Sequence, residues 1–170
     1  MDSIRVRRRG CAFRNFAFNL MPAFRFYDSW GEPRGVRGQQ LPSGQIRIYR
    51  VIQDHTDIRG LLPKVQIEMA RPEWKRVQIH EWRDIGDATM TRHDQSNKQV
   101  SAAKVVEEFF STTFEPGSAR WDTGLKSAIL TAFTASTSDG EPCVLINPEE
   151  RALIAAFEGR WHYPTDASGN

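Results

Sequence analysis

Apolar and polar positions alternate through much of the first half of the chain, and the period changes near residue 99. Residues 11–19 (CAFRNFAFN) and 23–28 (AFRFYD) interleave rings with polar groups, which predicts two short strands around Met21-Pro22. Residues 31–44 hold four Gly and two Pro and predict a loop. Gln45–Gln53 (QIRIYRVIQ) is β-branched and aromatic, a strand pattern. Thr56–Leu62 predicts one helical turn, ended by Pro63. Lys64–Met69 and Lys75–Trp82 each alternate, and the turn residues between them predict a hairpin. Residues 83–98 are polar and predict a loop.

From residue 99 the spacing is helical. Val100, Ala103, Val106 and Phe110 form a stripe over 99–112. Asp122 predicts an N-cap for a helix carrying Leu125, Ala128, Ile129, Ala132 and Phe133. Ser136–Gly140 breaks the pattern, and Pro142–Ile146 predicts a short buried strand. Asn147 then predicts a cap, with Pro148 at the first helical position and the helix stopping at Gly159. Strands followed by helices argue α+β: a mostly antiparallel sheet over about 11–82, with C-terminal helices over about 99–159 packed on it. The organisation read from this is a basic arm at 1–10, one domain at 11–163 and a polar tail at 164–170.

Charge changes this picture. Residues 1–50 carry ten Arg, no Lys and three acids, a net of +7; residues 51–170 carry a net of −5. The whole-chain value of +2 hides the split. Guanidinium groups pair bidentately with phosphate and stack on bases, so an arginine-rich end on an acidic body points to a polyanion. Arg5, Arg7, Arg8 and Arg9 lie in the arm. Arg14 and Arg25 are interleaved with Phe13, Phe16, Phe18, Phe24 and Phe26, and Arg34 and Arg37 sit in the expected loop. Arginine for phosphate plus flat rings for bases is the recipe for single-strand binding. The competing reading puts the rings on the inward face of their strands as core, and makes the arginine run a solvated tail or a targeting signal. Five Trp spread across segment ends read as core or sheet-edge packing.

Two stretches resemble known families. Arg50, then Ser111-Thr112-Thr113, then Glu141 is similar to the Arg / Ser-Thr-Ser / Glu layout of mono-ADP-ribosyltransferases. The resemblance implies an Arg on the NAD phosphates and a Glu stabilising the ribosyl cation; Cys143 stands where that pattern has its other conserved position. Phe24–Pro33, Leu41–Arg50, Asp87–Thr89 and Phe114–Trp121 occur in an order that resembles landmarks of rod-shaped plant virus coat proteins. That family has two helices between the first two landmarks, where this chain has seven residues.

No phosphate-cradling Gly motif, nucleophile elbow or metal-spaced pair occurs among Cys11, Cys143, His55, His80, His93 and His162. Glu68, His80, Glu81 and Asp84 are the acids and imidazole that a hairpin would bring nearest to one another. Neither a cofactor nor a metal is expected. No stretch approaches the ~20 apolar residues of a membrane helix, and a basic start broken by Arg14 and Asn15 does not read as a secretory signal. Two cysteines read as free thiols in a reducing cytoplasmic or nuclear compartment, with one disulfide left open. The sequence therefore reads as a non-enzymatic protein binding RNA or single-stranded DNA, of a viral structural, coat-type or host-interaction kind. It is expected to self-associate or dock a protein partner. A small mono-ADP-ribosyltransferase-like enzyme and a protein-interaction module with a targeting arm stand as alternatives.

Overall fold

The computed structural model describes residues 21–29, 31–72, 79, 81–92, 100–117, 131–138 and 140–157. Their elements are β1 (Ala23–Asp28), β2 (Arg34–Gln40), β3 (Ile46–Gln53), α1 (Ile58–Met69), β4 (Trp82–Gly86) and a 3-10 turn (Ala88–Thr91). After these come α2 (Ala102–Phe110), β5 (Phe114–Pro116), β6 (Val144–Ile146) and α3 (Arg151–Ala155). Among the described residues the strands form one sheet in the order β5-β4-β1-β2-β3-β6. The class is α+β. The N-terminal strands β1, β2 and β3 are an antiparallel meander, as their alternation predicts. The other pairings, β1–β4, β4–β5 and β3–β6, are parallel, so the whole sheet is mixed. Parallel neighbours need a crossover, and α2 supplies the one between β4 and β5.

Three segments differ from expectation. The glycine-rich stretch read as a loop contains β2. Its glycines sit where neighbours approach closely: a Cβ at Gly35 would lie 3.3 Å from Val65 of α1. Of the hairpin expected at 64–82, the first strand, Lys64–Met69, is instead the second half of α1, and most of the second strand lies outside the described residues. Ile58, Leu61, Leu62 and Val65 recur at helical spacing and are buried, whereas Ile67, which the alternating reading would bury, is 70% exposed. Asp57 caps α1 by accepting from Gly60 N at 3.0 Å. Pro63 lies inside the helix, where it forfeits a bond to the Arg59 carbonyl. Both residues are on the exposed side of the helix. The loop expected at 83–98 begins with β4, five residues long.

The helix expected at 99–112 is α2, capped by Ser101 accepting from Lys104 N at 3.2 Å. Residues 131–134 are helical, and the rest of the helix expected after Asp122 lies outside the described residues, as do 11–19, the arm and the tail. The strand expected at 142–146 is β6. Asn147 is not the cap of α3. Its backbone N–H still donates to Ile48 O at 2.9 Å and its side-chain amide donates to Tyr49 O at 3.0 Å, which ties it to β3. A turn closed by Glu150 N on Asn147 O at 2.9 Å follows, and α3 starts only at Arg151.

One core holds Tyr27, Ile58, Leu61, Leu62, Val65, Met90, Ala103, Val106 and Phe114, between the sheet and the α1–α2 layer. A smaller cluster surrounds Tyr49, with Ile79, Trp82 and Leu145.

Candidate functional site

β1 is turned inside out relative to the usual reading of its pattern. Alternation puts rings and polar groups on opposite faces. Here Ala23, Arg25 and Tyr27 face the helices and are buried, while Phe24 and Phe26 face the other way. The core reading of Phe24 and Phe26 is thus corrected: Arg25 is 3% exposed and Phe26 is 38% exposed. An arginine takes the interior position because its partners are there. Asp84 stands beside it in the β1–β4 register. The carboxylate accepts from Arg25 Nε and Nη2, both at 2.6 Å, from Tyr27 OH at 3.0 Å and from Thr112 Oγ1 at 2.5 Å. The fork geometry is the strong, bidentate form of an ion pair. Arg25 Nη1 reaches Met69 Sδ at 3.4 Å, and the face of Phe110 lies 3.8 Å from the guanidinium carbon. Burial, and next the Asp84 charge, hold the Tyr27 phenol above its ordinary range, so it acts only as a donor here.

The strand registers place Arg50, Arg37, Arg25 and Asp84 side by side in one row across β3, β2, β1 and β4. Neighbouring strands are about 4.8 Å apart, so three guanidiniums run abreast. Acids bracket the row. Glu150 accepts from Arg50 Nη1 at 2.9 Å and from Val51 N at 3.0 Å, covering the β3 edge beyond the last β6 pairing. Glu68 of α1 lies 3.6 Å from Arg50 Nε and 2.8 Å from Arg71 Nε. Trp82 receives both Arg25 and Arg37, each 5.3 Å from a ring centroid. Burial pushes the Arg37 guanidinium down to about 10, opposed by the Glu68 charge. β3 carries an extra residue at this point, because the register shifts between Arg37 and Gly38. The bulged Tyr49 is fully buried and donates to Gln39 Oε1.

The opposite face of the sheet is apolar and half-open. Val51, Val36, Phe26 and Ile85 form one cross-strand row, and Ile146, Ile48, Gly38 and Phe24 form the next. Phe26 is exposed and the other apolar side chains of these rows are half-buried. Gly38 leaves room for the Phe24 ring, whose Cζ lies 2.6 Å from where a Cβ would stand. Arg34, in the row with Asp28 and Gln53, is exposed. Arg83, beside Phe24, is half exposed and forks onto Glu115.

Of the arginines expected to contact phosphate, Arg34 is the one the described residues place in solvent. Arg25 and Arg37 are interior; their side chains, 3% and 0% exposed, present no surface to an outside anion. Arg5, Arg7, Arg8, Arg9 and Arg14 lie outside the described residues. Arg50, Thr112 and Glu141 are not brought together: Arg50 pairs with Glu68 and Glu150, Thr112 serves Asp84 near the β5 edge, and Glu141 precedes β6 at the other edge. Ser111 ends α2 in the left-handed conformation. Glu68 pairs with Arg50 and Arg71, and Asp84 pairs with Arg25. Among the described residues no group of three metal-ligating side chains occurs, and no helix is long and apolar enough to cross a membrane. Cys143 is a free thiol.

Asp84, Glu68 and Glu150 balance the arginine row, a role the sequence pattern assigns to none of them. A signal was present for Asp84: a lone acid between Trp82 and Ile85, in a segment short enough to pass for loop. Compared with protein-family models, curated proteins and solved structures, the chain matches none.

Proposed function

We propose that the protein binds single-stranded nucleic acid, RNA or DNA, through arginines gathered in its first fifty residues. The observation that carries this reading is the charge split: ten arginines, no lysine and a net of +7 in residues 1–50, on a remainder of −5. A lysine-free excess favours planar, bidentate recognition of phosphate over diffuse attraction. Arg5, Arg7, Arg8, Arg9, Arg14 and the exposed Arg34 form the contact set. Arg25 and Arg37 leave it, because their role is interior. A coat-type or other structural role on a packaged strand is compatible with the same contacts.

The test is electrostatic. Each arginine that neutralises a phosphate on a single strand contributes about 0.7 to the slope of log affinity against log salt. Deleting residues 1–10 removes four arginines and one acid. Anisotropy titrations with a labelled single-stranded RNA should show the slope falling in magnitude by roughly 2–3, alike for all sequences, since phosphate contacts carry no sequence information. Full-length protein showing no salt-dependent binding to any single strand removes the reading.

A further inference from the structure

We infer that the open face of the sheet is a base-stacking platform, with Phe26 as its central ring and Phe24 beside it. This rests on the single-strand binding proposed above and names the surface on which the bases would lie. In a strand that alternates ring and arginine, the ordinary arrangement buries the rings and solvates the charge. Here the strand spends a forked ion pair, two hydroxyl donors and two aromatic faces on taking Arg25 inside. The consequence is that Phe26 stands 38% exposed in the centre of an apolar row, flanked by Val36 and Ile85. Phe24 is its neighbour two residues back on the same face, about 6.6 Å along the strand. That spacing suits two successive bases of an extended single strand, each against its own ring.

Charge selects the occupant. The rim of this face carries the exposed Arg34 at one end of β1 and, beside Phe24 at the other, Arg83 forked onto Glu115. The chain enters β1 at Ala23, directly after twenty-two residues that hold five arginines and one acid. An apolar, ring-bearing surface on the strand that follows this arginine-rich sequence fits a ligand with flat bases and a phosphate backbone. A second copy of this chain would carry the same exposed Arg34 on the same face, and like charges would oppose its docking.

The experiment compares a labelled oligo(dU) strand with an abasic phosphodiester strand of equal length, using the full chain. Phe26→Leu keeps apolar volume but removes the ring, and Phe26→Trp keeps a ring. Loss of one stacked base weakens binding about 5- to 150-fold. We therefore expect Phe26→Leu to lose affinity within that range for oligo(dU) and to leave the abasic strand unaffected, while Phe26→Trp binds oligo(dU) at least as well as the original. Thermal melts establish that each variant is folded. Wild-type protein that binds both strands equally overturns the platform and leaves the arm reading standing; protein that binds neither overturns both. Equal oligo(dU) affinity for Phe26→Leu and wild type overturns the platform. Sedimentation that shows a dimer dissolved by Phe26→Leu assigns the face to a second copy and also overturns it.

Discussion

Replacing Asp84 by Asn should destabilise this protein strongly, although it changes the identity of only one atom. Asp84 is fully buried, and its two oxygens accept four hydrogen bonds from Arg25, Tyr27 and Thr112. Asn keeps the shape but removes the charge, and its amide turns two hydrogens towards groups that are themselves donors. Arg25 then remains as a buried cation without its counter-ion. Breaking a buried pair from one side costs about 3–5 kcal/mol. Total stability of a domain is about 5–15 kcal/mol, so roughly a fifth or more of it goes. With a urea slope of about 2 kcal/mol/M, the midpoint falls by roughly 2 M. The second arm of the test removes both charges. Arg25→Met with Asp84→Leu leaves no uncompensated charge, and such replacements are often neutral or stabilising. The double variant should therefore be clearly more stable than Asp84→Asn. An Asp84→Asn loss below about 1 kcal/mol, or a double variant that loses the sum of its parts, refutes the ion pair as the reason Arg25 lies inside.

Ser111 ends α2 at φ 54°, a left-handed position that glycine adopts without a Cβ clash, so Ser111→Gly should raise stability by about 0.5–1 kcal/mol in urea melts. Unchanged or lower stability would show that the serine side chain contributes something there. Asp54 accepts from Lys64 Nζ at 2.5 Å and from Thr56, first through Lys64, and these bonds hold its carboxyl below the ordinary value of 3.8. The unfolded chain thus binds the proton first. The contribution to stability is fully present above pH 3.8 and is lost as pH falls through the lower folded value. The stability gap between wild type and Asp54→Asn should be constant near pH 6 and should close below pH 3.8; a gap that persists into strong acid contradicts this assignment.

Much of the fold is legible in the residues, and the reasons for the failures differ. β3 and α2 are plain because Gln45–Gln53 and Val100–Phe110 each show one period over enough residues to exclude the other. β2 hides because Gly35 and Gly38 are the usual marks of a loop; in the fold they mark places where Val65 and the Phe24 ring come close. α1 hides because Val65, Ile67 and Met69 alternate and Pro63 ends helices more often than it joins them. The longer stripe from Ile58 to Val65 decides the outcome through burial against the sheet. β1 fails in a third way. Its alternation gives the period but not the sign. Which set faces inward depends on Asp84, 59 residues away, and on Trp82 and Phe110. No local pattern holds that information. The arginine split is legible from counting alone, but the removal of Arg25 and Arg37 from the contact set needs the three-dimensional register.

The orientation of β1 is tested by one urea-melt comparison. Phe26→Ser and Arg25→Ser probe the two faces of the strand at neighbouring positions. With Phe26 on the open face, its replacement should cost under about 1 kcal/mol. With Arg25 inside, its replacement strands the Asp84 carboxylate and should cost about 3–5 kcal/mol. The reverse ranking, Phe26→Ser the costlier of the two, would put the rings in the core and contradict both the inside-out strand and the platform built on it.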